Sequence, residues 1–174
     1  MPLVPDAIAG PASRVGAAAQ NALEVARFGG LRTEEEPSPY EVFAERPIFR
    51  LRRYYAPGSE NGSKKTARGP ALILVPPMML AADVYDVSPS SSAVTLLHEH
   101  GIDPWVVDFG APEKEEGGLE RSLTDHVLAV SEAIDLVADE CGRDVHVGGY
   151  SQGGMFCYQA ASFRRSKRIA SVVV

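Results

Sequence analysis

A chain of 174 residues with 45% hydrophobic content is long enough to bury the core of one domain, and its 16 glycines and 13 prolines are too few to suggest a low-complexity segment. The formal net charge of -6 argues against a nucleic-acid partner, which would need a clustered positive excess to meet phosphates. Two cysteines, Cys141 and Cys157, close at most one bridge and fit no metal-site spacing, so reduced thiols in a cytoplasmic protein are expected; the N-terminus has neither a basic n-region nor a long apolar stretch, against a signal peptide or spanning helix.

Taken in order, residues 1–30 are Ala-rich, with Val15, Ala18, Leu23 and Val25 at loosely helical spacing and Gly29-Gly30 as a stop. Residues 31–40 combine an acidic run with two prolines and read as a linker, so residues 1–39 form a helical arm and linker ahead of a domain at 40–174. PIFRLRRYY at 47–55 alternates partly between apolar and basic residues, as in a half-exposed strand near a sheet edge, with Arg50, Arg52 and Arg53 on a solvated face. Residues 56–70 are polar and turn-rich. ALILV at 71–75 is a continuous apolar run, the pattern of a strand covered on both faces by helices. Ser88-Pro89-Ser90 supplies a helix start, Val94 and Leu97 its buried face and Gly101 its stop; IDPWVVD at 102–108 is the next strand. Ser122 or Thr124 caps a long helix with Leu123, Val127, Val130, Ile134 and Val137 on one stripe, ending before Gly142. A strand at 145–148, a helix, the basic cluster 164–168 and a buried-strand pattern, IASVVV, complete the chain. The basic cluster is read as cations favoured at a helix C-terminus, with a coenzyme phosphate as the alternative. Alternating strands and helices imply an α/β fold with a mostly parallel sheet and flanking helices.

The chemistry concentrates at Gly149-Tyr150-Ser151-Gln152-Gly153, a G-x-S-x-G between a strand and a helix. In that setting the pattern is a nucleophile elbow: Ser151 is strained with its hydroxyl raised above the sheet edge, and Gly149 and Gly153 are small because strand and helix cross closely. An elbow of this kind takes one oxyanion donor from the amide after the nucleophile, here Gln152, and another from the loop after an earlier strand. That loop is Pro76-Pro77-Met78-Met79-Leu80; the prolines have no N–H, so Met78 offers the first amide. Met79, with Tyr150 of the elbow, is assigned to an acyl pocket, because unbranched thioethers adapt to varied apolar shapes; ordinary core filling is the alternative for the methionines. A base and an acid are still required. His98, His100, His126 and His146 all precede Ser151. His146 lies five residues back along the same strand, about 15 Å away, and cannot be the base; His98 and His100 fall near the end of a helix leading away from the site; His126 is the one internal candidate. Asp108 reads as a loop cap. Because the chain stops inside an apolar strand, the acid and the histidine are expected beyond Val174, and little turnover is expected from these 174 residues alone.

LILVPPMMLAADVYDVSP at 72–89, GIDPWVVDFGAPE at 101–113 and VGGYSQGGMFCYQAA at 147–161 together resemble the polyhydroxyalkanoate-synthase-like branch of the α/β-hydrolases, and more closely the lipase-like N-terminal region of bifunctional long-chain acyl-CoA synthetase/lipase proteins. The resemblance implies the N-terminal half of an α/β-hydrolase fold, cut before its last strands, in which Ser151 attacks an ester or thioester carbonyl. The implied function is a serine hydrolase or acyltransferase, with a hydroxyacyl-CoA polymerase or a non-catalytic fragment as alternatives. The polymer synthases carry cysteine at the elbow where this chain has Ser151, and a serine oxyester favours release to water over chain extension. The expected partner is a small-molecule acyl ester or acyl-CoA, with peripheral lipid or membrane contact left open; no cofactor motif and no metal site is present in the sequence.

Overall fold

The computed structural model describes residues 38–55, 69–78, 80–88 and 91–174, and in the N-terminal region only Gly16, Ala19, Ala22 and Leu23, all helical. The chain divides into two compact units, Met1–Glu36 and Pro37–Val174. Of the expected N-terminal arm and linker, everything but those four positions and residues 38–39 lies outside the described residues, as do residues 56–68, Met79, Pro89 and Ser90.

The larger unit is built on a six-stranded sheet in the order β1-β2-β6-β3-β7-β8, with a two-stranded β4-β5 ladder beside it. Its strands are β1 (Tyr40–Glu45), β2 (Arg50–Tyr54), β3 (Ala71–Val75), β4 (Asp86–Ser88), β5 (Ser91–Ser92), β6 (Asp103–Asp108), β7 (Val145–Gly149) and β8 (Ile169–Val173). β1, β2 and β6 pair antiparallel, while β6, β3, β7 and β8 are parallel. The helices are α1 (Ala93–Glu99), α2 (Leu123–Cys141) and α3 (Gln152–Arg164). None among the described residues is long and apolar enough to cross a membrane.

Side chains alternate along a strand, and here the two sets feed two cores. Ile73 and Val75 of β3, Trp105 and Val107 of β6, and Val145 and Val147 of β7 pack with Val130, Ile134 and Val137 of α2 and Phe156, Cys157 and Ala160 of α3. Leu72 and Leu74 of β3, Val106 of β6 and Tyr54 of β2 pack with Val94 and Leu97 of α1 on the opposite face. β3 therefore leads toward a helix on one face and β7 toward a helix on the other, and their C-terminal loops diverge where the strand order reverses. That divergence opens the crevice in which open α/β sheets bind ligands.

The strand expected near a sheet edge at 47–55 is β2, which lies next to the edge strand β1; other local expectations change. Arg50, Arg52 and Arg53 are paired rather than solvated: Arg50 and Arg52 donate to Asp108, Arg52 also to Asp83, Arg50 to Glu115, and Arg53 to Asp103 and Glu140. α1 starts one turn later than expected, at Ser92, whose hydroxyl accepts from the Thr95 amide; Ser88 belongs to β4. Gly101, at φ 76, follows its end. α2 begins with a capping box between Ser122 and Asp125 and ends at Gly142 in the left-handed region, while Leu123 of its expected apolar stripe is exposed. IASVVV, read as a buried-strand pattern, forms β8, which pairs with β7 and is exposed at residues 170–173.

Candidate functional site

The loops that follow β3 and β7 leave the sheet side by side, because Val75 is in register with Gly149 as the last pair of their ladder. Ser151 follows β7 and is the N-cap of α3 with φ 55 and ψ -122. For a residue with a Cβ, a conformation of this kind costs roughly 1–3 kcal/mol and persists only where its surroundings enforce it. The enforcement begins with crossing distances. A Cβ on Gly149 would stand 2.3 Å from the Gly153 carbonyl carbon, and one on Gly153 would stand 1.9 Å from the Val75 carbonyl oxygen. Gly154 is also constrained, since its Cβ would lie 2.9 Å from the Gly149 oxygen. The elbow thus needs a third small residue beyond the two flanking the serine.

Serine at an N-cap ordinarily turns its hydroxyl onto the helix amides. Ser151 makes no such side-chain bond; it is exposed and lines a cleft of about 270 Å³ with Gly154, Met155, Tyr158, Gln159 and Val174. Gln152, as the first residue of α3, has an amide with no intrahelical acceptor and no partner among the described residues, at the end of the helix that attracts negative charge. Gly153 and Gly154 donate back to the Tyr150 and Ser151 carbonyls and close the turn.

The other assigned residues are placed as follows. Met78 is half-buried with its side chain against the main core, the core-filling role left open for it, and lies three residues past Val75 in the β3 loop. Met79 lies outside the described residues. Tyr150, assigned to the acyl pocket, is 63% exposed and does not line the cleft; Met155 and Tyr158 of α3 do. Reading the helix from its buried face alone hides them, because α3 is apolar on both sides. The Tyr150 amide donates to the hydroxyl of Tyr85, which donates to the Val75 carbonyl, a link between residues up to 65 positions apart that leaves no local signal in the sequence.

The histidines are each engaged away from Ser151. His98 Nε2 is 2.7 Å from the Tyr54 carbonyl and the residue is half-buried; His100 Nδ1 is 2.8 Å from the Leu96 carbonyl; His146 Nδ1 is 2.7 Å from the Ser171 hydroxyl. His126 is buried, with Nδ1 2.8 Å from the Ser122 carbonyl and its ring held between Phe109 and Phe156. Asp108 caps its loop by accepting from the Gly110 amide. Cys157 is fully buried, and burial pushes its thiol up to about 12, so it is not an alternative nucleophile. Two of the four cations of the basic cluster are paired: Arg164 donates to Ser131 and Asp135, and Arg168 to Asp135 and Asp139. No group of three His, Cys, Asp or Glu among the described residues is arranged to hold a metal ion.

No family model matches the chain. Among curated proteins, it is 28% identical over 134 residues to the poly(3-hydroxyalkanoate) polymerase subunit PhaC of Haloferax mediterranei, over 75% of this chain and 26% of that protein. Among solved structures it is similar to the thioesterase domain from the curacin biosynthetic pathway, with a TM-score of 0.54 and 16% identity over 80% of this chain and 43% of that domain. A second likeness is to the Francisella virulence factor BioJ, with a TM-score of 0.51 and 14% identity over 92% of this chain and 49% of that one. A third is to the Bacillus licheniformis lipase BlEst2 in its propeptide form, with a TM-score of 0.50 and 12% identity. The chain spans about a quarter of the length of the polymerase subunit and under half that of the thioesterase domain. With the sheet order and the divergence at β3 and β7, these likenesses make the Pro37–Val174 unit part of an α/β-hydrolase fold.

Proposed function

We propose that this chain carries the nucleophile and the oxyanion donors of a serine hydrolase or acyltransferase acting on acyl esters or thioesters. The observation that carries the reading is Ser151 itself: a strained N-cap whose hydroxyl is spared from capping and lines a cleft beside the first amides of a helix. In the reaction, Ser151 Oγ attacks the acyl carbonyl as its proton passes to a base. The developing oxyanion is held by the Gln152 and Met78 amides, the acyl chain lies along Met155 and Tyr158, and the leaving alcohol or thiol takes up the proton. The tetrahedral intermediate collapses to an oxyester on Ser151, which water or another acceptor then cleaves. None of the four histidines is hydrogen-bonded to Ser151, so the reading assigns neither the base nor its orienting acid to a described residue. Incubating the full-length protein with a fluorophosphonate should label Ser151 and leave S151A unlabelled; a wild-type protein that resists the probe while folded refutes the reading.

The likeness to the polymerase subunit favours a second reading, transfer of a hydroxyacyl group from CoA to a growing chain. Against it stand an oxyester intermediate, a weaker acyl donor than a thioester, and the burial of Cys157. Supplied with a 3-hydroxyacyl-CoA, a polymerase yields oligomers and a hydrolase yields free acid. The finer relation to the lipase-like region of acyl-CoA synthetase/lipase proteins belongs with the hydrolase reading.

A further inference from the structure

Tyr85 ends the short 3-10 turn (Ala82–Tyr85) that follows the β3 loop, and its half-buried ring packs against Ala82, Val94 and their neighbours. Its hydroxyl donates to the Val75 carbonyl at 2.8 Å and accepts from the Tyr150 amide at 3.1 Å. Those two backbone groups sit at the roots of the segments that carry the candidate oxyanion donors: Val75 precedes the Met78 loop, and Tyr150 immediately precedes Ser151 and Gln152. They also lie at the end of the parallel ladder, where Val75 and Gly149 form the last register pair. A ladder continuing past that pair would join the Tyr150 amide directly to the Val75 carbonyl. Pro76 has no N–H with which to extend pairing from the β3 side. The phenol oxygen is hydrogen-bonded to both groups, so a side-chain hydroxyl bridges the two backbones just past the last register pair.

We propose that Tyr85 is a positioning residue of the acyl-transfer site: its hydroxyl, wedged between Val75 and Tyr150, sets the separation of the β3 loop from the elbow and hence of the Met78 amide from the Gln152 amide. The inference rests on reading Ser151 as the nucleophile. Tyr85 reaches the reacting atoms only through the backbone. Burial pushes its hydroxyl up to about 12, with the Tyr150 amide opposing, so the group stays protonated and bridges both partners throughout the pH range of ester hydrolysis. Without the hydroxyl the Tyr150 amide and Val75 carbonyl close on each other, and the elbow is drawn out of register with the loop.

The test is Tyr85→Phe in the full-length protein, which keeps the packed ring and deletes only the wedge. With a p-nitrophenyl acyl ester, kcat should fall about ten- to a hundredfold, less than or comparable to losing an oxyanion donor outright, with KM changed by no more than about twofold. The affinity for an alkylboronic acid, whose tetrahedral adduct on Ser151 places an oxygen in the hole, should weaken by the same factor as kcat. Unchanged kcat, equal changes in kcat and KM, or a boronate affinity that stays put while kcat falls would overturn the proposal. If Y85F does not fold, 3,5-difluorotyrosine at position 85 serves instead: its more acidic phenol should add an alkaline loss of kcat absent from wild type, and an unaltered pH profile would overturn it. A wild-type protein whose Ser151 takes no fluorophosphonate refutes the nucleophile and Tyr85 together, whereas normal labelling with fully active Y85F refutes Tyr85 alone.

Discussion

Gly153→Ala tests whether the crossing of α3 over β3 dictates the elbow. The added Cβ would stand 1.9 Å from the Val75 carbonyl oxygen, 2.7 Å from its carbon and 2.9 Å from the Pro76 carbonyl carbon. Carbon contacts are comfortable only at about 3.5–4.0 Å, so the helix must retreat by more than an ångström. β3 cannot yield, because Val75 is fully buried and its carbonyl is held by Tyr85. Retreat would loosen Phe156, Cys157 and Ala160 from the main core. Overpacking against side chains costs roughly 1–3 kcal/mol, and a clash with backbone belongs at or beyond the top of that range. Alanine's advantage over glycine in a helix returns about 1 kcal/mol, leaving a net loss of about 2 kcal/mol or more. For a domain of this size that lowers the unfolding midpoint by at least roughly 4–8 °C. Urea unfolding followed by circular dichroism should show the loss with an unchanged m-value. Gly142→Ala, at a helix end with open space around its Cβ, should lose only about 1 kcal/mol from its left-handed backbone. A G153A protein within about 0.5 kcal/mol of wild type would refute the crossing argument.

Two further outcomes follow from particular groups. Asp108 is 2% exposed and accepts from the Gly110 amide, Arg50 and Arg52; burial pushes its carboxyl up, but that amide and the guanidiniums outweigh burial and hold it below the ordinary range. A folded pKa below the unfolded one gives stability that is present above the unfolded value and lost as pH falls through the folded one. Asp108→Asn should therefore cost about 2–3 kcal/mol at pH 7, and the gap to wild type in urea midpoints should narrow once pH drops below about 4; a gap independent of pH refutes the pairing. Ser151, at φ 55 and ψ -122, occupies the mirror image of ordinary extended backbone, which glycine enters freely. Ser151→Gly should be more stable than Ser151→Ala by about 1 kcal/mol after allowing for glycine's looser unfolded chain, and equal midpoints would show that the position carries no strain.

What could be read in the sequence was what is encoded locally. The elbow is legible because its constraints fall within five residues: a strand, two glycines around a serine, and a helix. The continuous runs at β3 and β6 announce strands covered on both faces. β1 was missed because YEVFAE alternates weakly, sits at the sheet edge and is mostly exposed. IASVVV is legible as a strand, and β8 pairs with β7 while residues 170–173 are exposed. Arg50, Arg52 and Arg53 looked solvated because their carboxylates, Asp83, Asp103, Asp108, Glu115 and Glu140, arrive from other elements 31 to 87 residues away. Tyr85 was illegible for the same reason, since one of its two partners is 65 residues distant.

The local and the distant parts of the site depend on each other. A G-x-S-x-G segment by itself gains nothing from placing serine at positive φ, so the motif alone does not hold the elbow in shape. The stabilisation comes from α3, whose buried side chains Phe156, Cys157 and Ala160 pack into the main core only when the helix lies close over β3. That closeness in turn leaves room for no Cβ at Gly149 or Gly153 and forces the chain to turn at Ser151 within one residue. Tyr85 limits the same approach from the other side by keeping a hydroxyl between Val75 and Tyr150. Core packing pulls the elbow toward the sheet while the phenol holds it off, and the gap set between them is where the Gln152 and Met78 amides are proposed to receive negative charge.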